Sequence, residues 1–406
     1  MLRWIAKGAA GVVTIAITLL TVLLLTMLRE RKTTVILPAP TGHFAVGRTT
    51  FAWTDEAAAD ELAPVPGSKR QVFVWVWYPA LQSHSDAPTE YLPLEWRTAL
   101  EARQGAFMRL FFKHDSSAVI THSFSDAPVS PEESAYPVVL LRAGGSALTT
   151  DFTTLAEDLA SHGYFVVGFD APYRSLVFVQ SDGRVIARSG AYNIENANGN
   201  LSDPVIGRLL AMWVSDSKFV VDRLHSLNEH SSGRFSGRMD LDRIGMFGHS
   251  FGGATALEFC HEDPRCKAAL DLDGIPFGSV VREGFNKPCV FLLSDHSREM
   301  TDSSSQQVLA EIQSLYDRLP DGRLYVVIRT ANHFSFSDQI LLNSHIATRV
   351  LRDGLGFGGL DGRRGLAISA DYVHTFFDVY LRGAPPASLT RLSEKYQEAE
   401  TQERRP

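Results

Sequence analysis

The apolar stretch Arg243-Ile-Gly-Met-Phe247 leads without a break into Gly248-His249-Ser250-Phe251-Gly252-Gly253, and the residues from about Ala254 to Cys260 suit a helix. A strand that turns this sharply into a helix needs glycines where side chains would collide, and here they stand two before and two after a serine. No other Gly-x-Ser-x-Gly occurs in the 406 residues. Such a turn lifts the serine hydroxyl above a sheet, so the passage fixes a sheet and its direction.

Short apolar runs on both sides of this turn supply the rest of that sheet. Strands are expected at Gln71–Tyr78, Tyr136–Leu141, Tyr164–Phe169, Lys267–Leu272, Pro288–Leu293 and Leu324–Thr330. Helices are expected at Phe152–His162, Ile206–Leu227, Gln306–Arg318, His345–Leu351 and Tyr372–Leu381. Apolar strands alternating with amphipathic helices imply an α/β fold with a mostly parallel central sheet covered on both faces. Hydrophobic residues make up 45% of the chain, enough for a sizeable core. The stretches near 90–125 and 171–204 read as insertions, not as a second domain.

The N-terminus is a separate case. From Gly8 to Leu28 no residue is charged, and at 1.5 Å per residue the run can cross a ~30 Å hydrocarbon core. It reads as one uncleaved transmembrane helix; a cleaved secretory signal and a buried core helix are the rival readings. Five basic residues and one acidic one give residues 1–40 a charge of +4, which leaves −11 on the remainder of a chain whose net charge is −7. An acidic body excludes a phosphate-neutralising surface, so no nucleic acid is expected as a partner. The division is a membrane anchor and tether at 1–40, a catalytic domain at 41–385 and a polar tail at 386–406, with the domain extracytoplasmic, in the periplasm or outside the cell. Of the three cysteines, Cys260 and Cys266 can pair in an oxidising compartment or remain thiols. The spacing of all three does not suit a structural zinc site.

A serine hydroxyl is a weak nucleophile at neutral pH and needs a base, which in turn needs an acid to fix its tautomer. In this architecture they follow the serine in the order acid, then base. His333 fits the base best, in the loop Ala331-Asn332-His333-Phe334 after the last strong strand; His122, His296 and His374 have blander readings, and His249 reads as a packing residue of the turn. Three carboxylates compete as the acid: Asp273, Asp271 and Asp295. Residues i and i+2 share a strand face but differ by nearly 7 Å along it, which favours Asp273 at the mouth. For the oxyanion, one donor is the backbone N–H of Phe251. The other is expected in Ala143-Gly144-Gly145-Ser146, at Gly145 or alternatively Gly144.

These residues resemble α/β-hydrolases of the platelet-activating factor acetylhydrolase type, the lipoprotein-associated phospholipases with their bacterial relatives. The resemblance covers roughly residues 41–383. It is carried by Asp158-Leu-Ala-Ser-His-Gly163, Gly248-His-Ser-Phe-Gly-Gly-Ala-Thr255, the Leu272-Asp273 or Leu270-Asp271 step and His333-Phe-Ser-Phe-Ser-Asp338. It implies an α/β-hydrolase fold, Ser250 as nucleophile, His333 as base and Asp273 as acid, with Asp271 selected instead if the match is anchored on Cys266. The family's His-Gly pair in the oxyanion loop appears here as Ala143-Gly144. The family also implies a lipid-touching apolar helix, whose counterpart is Ala106–Phe112; an ordinary helix packed on the sheet is the alternative.

The expected function is a membrane-tethered carboxylic ester hydrolase, similar to a 1-alkyl-2-acetylglycerophosphocholine esterase. Its expected substrates are short-chain or phospholipid-like esters, and it needs neither cofactor nor metal. A catalytically silent anchored binding protein and a serine peptidase are the alternatives.

Overall fold

The computed structural model describes residues 2–81, 87–145, 147–188, 204–230, 232–284, 286–295, 303–318, 323–346 and 359–402. Fourteen strands follow in chain order: β1 (Val35–Ile36), β2 (Ala45–Ala59), β3 (Lys69–Ala80), β4 (Pro88–Glu90), β5 (Val119–Ser125), β6 (Tyr136–Arg142), β7 (Phe165–Asp170), β8 (Val177–Val179), β9 (Val185–Ala187), β10 (Met239–His249), β11 (Cys266–Leu272), β12 (Cys289–Ser294), β13 (Arg323–Ile328) and β14 (Ala399–Gln402). The first six helices are α1 (Leu2–Glu30), α2 (Leu94–Gln104), α3 (Ala106–Phe111), α4 (Thr153–Ser161), α5 (Pro204–Glu229) and α6 (Phe251–Glu262).

One 12-stranded sheet runs β1-β5-β2-β3-β7-β6-β10-β11-β12-β13-β14, with β4 paired on β5. From β7 to β13 every neighbour is parallel, while β3 joins β7 and β14 joins β13 antiparallel. The mostly parallel α/β arrangement expected from the sequence is therefore present, with β10 at its centre.

All seven residues of β6 are buried, as a strand covered on both faces requires. Its alternate side chains feed two cores: Val138 and Leu140 pack on one face with Leu210 of α5 and Leu257 of α6. Val139 and Leu141 pack on the other with Leu155 of α4 and with Phe376 and Phe377 of the helix Gly362–Arg382. Each fully buried Leu, Val or Phe contributes roughly 1.5–3 kcal/mol, so the sheet direction that serves the serine turn is heavily constrained.

Three expectations need correction. The stretch read as a tether is part of the domain: Val35 and Ile36 pair with Val119 and Ile120, and Leu37 is buried. The polar tail is structured over its described residues, 386–402, because the helix Ala387–Lys395 buries Leu389 and Leu392 and β14 closes the sheet edge. The segment Ala106–Phe112 does not pack on the sheet: α3 buries none of its residues, and Phe107 is 63% exposed. The expected helix at His345–Leu351 lies largely outside the described residues.

Candidate active site

Ser250 sits between β10 and α6 at φ 56° and ψ −126°, a conformation that costs a non-glycine residue about 1–3 kcal/mol. The surroundings hold it there. Ser250 N–H donates to the Leu272 carbonyl at 2.8 Å, and the Ser250 carbonyl accepts from Gly253 and Ala254 of the new helix. The glycines are required by close approach: a Cβ on Gly248 would strike the Gly252 carbonyl, and one on Gly252 would strike the Arg142 carbonyl.

His333 begins a short turn, His333–Phe336, capped by Asn332, whose side chain accepts from Phe334 N–H at 2.8 Å. Its Nδ1 lies 2.8 Å from Asp273 Oδ2. Asp273 follows the end of β11 at φ 52°, and Ser294 fixes its carboxylate by donating N–H to Oδ1 at 2.7 Å and Oγ–H to Oδ2 at 2.9 Å. Burial opposes charge on this carboxyl, but the hydrogen bond and charge of His333 and the Ser294 N–H outweigh it, and its pKa is lowered.

The other two carboxylates are placed differently. Asp271 is fully buried beneath the serine turn, where its Oδ1 accepts from Gly274 N–H at 2.9 Å. Burial, with the Asp273 charge adding to it, drives its pKa well above the usual carboxylate range. Asp295 accepts from Thr330 N–H at 2.9 Å, tying two strand ends together. Of the three, Asp273 is the one that the structure brings to His333.

His249 is a support, as its position beside the serine suggested. Burial and the neighbouring His333 push its pKa down to about 3, so the ring is neutral and its Nε2–H donates to the His333 carbonyl at 2.8 Å. His122 bonds the Leu37 carbonyl and His374 bonds Asp158, both away from the serine, while His296 lies outside the described residues.

Ser250, His333, Gly144, Gly145, Phe334 and Gln339 are among the residues lining a cavity of about 270 Å³. Phe251 is the first residue of α6, where backbone N–H groups have no partner within the helix. Gly145 lies on the cavity wall with its carbonyl accepting from Arg188 Nη1 at 2.6 Å, and a Cβ on Gly144 would come within 3.0 Å of the Ser250 Cβ. Ser146 lies outside the described residues.

Sequence reasoning missed the residues that hold these groups. Asp151 accepts from Leu148 N–H at 2.9 Å, and Asp170 accepts from Thr149 N–H at 3.3 Å and from Trp75 Nε1–H at 2.9 Å, so two buried carboxylates brace the far end of the glycine loop. Asp170 at the end of an apolar strand was a visible signal. Ser294 and Asn332 carried none, because the contacts they make, to the Asp273 carboxylate and to Phe334 N–H, exist only once the strand ends and loops are brought together.

The family model described as platelet-activating factor acetylhydrolase, isoform II, matches residues 30–178 and 220–381. A probable 1-alkyl-2-acetylglycerophosphocholine esterase of Arthroderma benhamiae is 26% identical over 89% of this chain and 92% of its own length. The platelet-activating factor acetylhydrolase of Bos taurus is 24% identical over 76% of this chain and 70% of its own. Among solved structures, a ferulic acid esterase from Streptomyces cinnamoneus superposes with a TM-score of 0.74 at 27% identity, covering 91% of this chain and all of that one. With a mostly parallel sheet, a serine on its central turn and relatives that are esterases and acetylhydrolases, the chain is a carboxylic ester hydrolase of the α/β-hydrolase fold and belongs to the platelet-activating factor acetylhydrolase isoform II family.

Proposed function

We propose that the chain hydrolyses short-chain or phospholipid-like esters through an acyl-enzyme on Ser250. His333 Nε2 takes the hydroxyl proton as Ser250 Oγ bonds the ester carbonyl carbon, and the carbonyl π pair moves to oxygen. The N–H groups of Phe251 and Gly145, with Gly144 as the alternative, receive that oxyanion. Collapse breaks the bond to the leaving alcohol, which departs with the proton held by His333. Water then repeats the sequence on the acyl-enzyme and releases the acid, regenerating Ser250. Asp273 orients the imidazole and balances its transient charge.

The observation that carries this reading is the 2.8 Å contact from His333 Nδ1 to Asp273, with His333 on the same cavity wall as Ser250. The pairing keeps a proton on Nδ1 and leaves Nε2 as the base. The test is labelling by a fluorophosphonate together with turnover of p-nitrophenyl esters of graded chain length. Labelling of the wild type, abolished in Ser250→Ala with kcat down by about 10⁴-fold or more, and highest kcat/KM on the shortest acyl chains is the expected result. Folded wild-type protein that neither labels nor turns over returns the silent binding protein, and cleavage of peptides returns the peptidase.

The same reading includes a single-pass anchor with the domain extracytoplasmic. The most apolar 18 residues of Gly11–Glu30 have a mean hydropathy of 2.5, and the segment is long and apolar enough to cross a membrane. Val12, Ile15, Leu19 and Leu25 of α1 are at least 60% exposed, a face that lipid would cover. The bridge joining Cys260 and Cys266, with Cα atoms 5.0 Å apart, favours an oxidising compartment. The exposed Phe107 and Met108 of α3, which packs against α1, suit an interfacial contact.

A further inference from the structure

The helix α4 starts beside the glycine loop at the carboxyl edge of the sheet and ends just before β7 enters from the amino edge. At that far end, away from the serine turn, Asp158 and His162 meet His374 of the helix Gly362–Arg382 and Thr41 of the N-terminal segment. His374 Nδ1 is 2.9 Å and His162 Nε2 is 3.9 Å from Asp158 Oδ2. One ligand atom from each of the three residues lies within 4.8 Å of the others. Thr41 Oγ1 is 2.7 Å from Asp158 Oδ1 and 2.9 Å from His162 Nε2.

We propose that Asp158, His162 and His374 bind one divalent transition-metal ion of the zinc class, with the Thr41 hydroxyl or a water as fourth ligand. Two imidazoles and a carboxylate are a usual zinc donor set, and donors about 2.0 Å from a tetrahedral ion stand roughly 3.3 Å apart. The 2.9 Å and 3.9 Å separations from Asp158 bracket that value, and ligation turns the two stacked imidazoles so that both ring planes meet at the ion. The donors are sheltered but reachable, with side chains 4% exposed at Asp158, 13% at His374 and 23% at His162.

The His162 and His374 rings stack 3.9 Å apart at 19°, so the two imidazoles already lie side by side. Burial first, then His374, lowers the His162 pKa against the opposing pull of Asp158, Asp378 and Asp371. Burial raises the Asp158 pKa, but hydrogen bonds to His374 and Thr41 and the two imidazoles prevail, and the carboxyl stays charged at neutral pH. On ligation through Nδ1, a neutral His374 moves its proton to Nε2 and none is lost. With the Thr41 hydroxyl as fourth ligand, the bound ion ties residue 41 to α4 and to the helix Gly362–Arg382, fastening the N-terminal segment to the domain.

The experiment is calorimetric titration of zinc chloride into the tag-free full chain in detergent, stripped of metal by a chelator. One ion per chain is expected, weakened in both His162→Ala and His374→Ala by more than the ~10–100-fold typical of losing an outer-sphere partner. Ester hydrolysis by each variant checks that it has folded, with His162→Asn as the substitute if the alanine variant does not fold. Cobalt(II) in place of zinc is expected to give the visible absorption of a tetrahedral site. Absence of saturable uptake, or uptake undiminished in both folded histidine variants because the ion sits elsewhere, overturns the proposal.

Discussion

Asp271 and Asp273 stand two residues apart, yet their surroundings drive the two carboxyls in opposite directions. Asp271 is enclosed by the serine turn; burial, and then the Asp273 charge, raise its pKa well above the usual carboxylate range and favour its neutral form. Asp273 gains an imidazole and two Ser294 donors and stays charged. An amide can replace a neutral carboxylic acid but not a carboxylate that must hold Nδ1–H. Asp273→Asn should therefore lower kcat by about 10⁴-fold through the wrong imidazole tautomer, whereas Asp271→Asn should change it less than tenfold. Steady-state turnover of p-nitrophenyl acetate by both variants, with melting curves to confirm folding, decides between them; equal losses would count against Asp273 as the acid. The distance along the strand already favoured Asp273 in the sequence. What the sequence left open was how the chain leaves β11, since the positive φ of Asp273 follows from the hydrogen bonds that surround it.

At the scale of elements, α6 begins at the serine turn and ends at a covalent tie. The bridge from Cys260 in its last turn to Cys266 at the start of β11 closes a short loop, and a loop of this size stabilises a fold by about 2 kcal/mol in the chain-entropy account. Reduction should lower the melting temperature by a few degrees and leave ester turnover unchanged, because the tie lies a helix length from Ser250. Calorimetry with and without dithiothreitol, repeated on Cys260→Ala/Cys266→Ala, measures this, and loss of turnover on reduction would refute it. The elements visible in the sequence share a trait. Strands β6, β7, β11 and β12 are short, largely apolar and buried, as is the half of β10 from Ile244 to His249, so their composition alone marks them. The 15-residue β2 (AVGRTTFAWTDEAAA) has a mixed pattern of burial and an alanine-rich end that suits no single period. Its place depends on pairing with β3, a tertiary fact. The same applies to β14, a polar strand made by its neighbour.

For the whole molecule, the proposed anchor raises the question of how an acidic body would be held at a bilayer. The charge of −11 beyond residue 40 would be repelled by anionic lipid surfaces, so under that proposal adhesion falls to α1, and the end of α1 is built into the domain. Glu30 accepts from the Ser344 hydroxyl and from His345 N–H at 2.8 Å, while Arg31 bonds Asp115 at 3.1 Å, Glu101 at 3.4 Å and the Arg109 carbonyl at 3.0 Å. The Arg31 side chain is 13% exposed, and a largely buried guanidinium with three oxygen partners is costly to detach. A removable leader has no need of such a junction, whereas a retained anchor gains a fixed orientation from it, with α3 brought alongside the lipid. The full chain should accordingly stay in carbonate-washed membranes and keep its N-terminal residues by intact-mass measurement. Protease added outside the sealed membrane should digest the domain. A soluble product beginning beyond Glu30, or digestion only after the membrane is opened, would defeat the retained anchor in the first case and the extracytoplasmic orientation in the second.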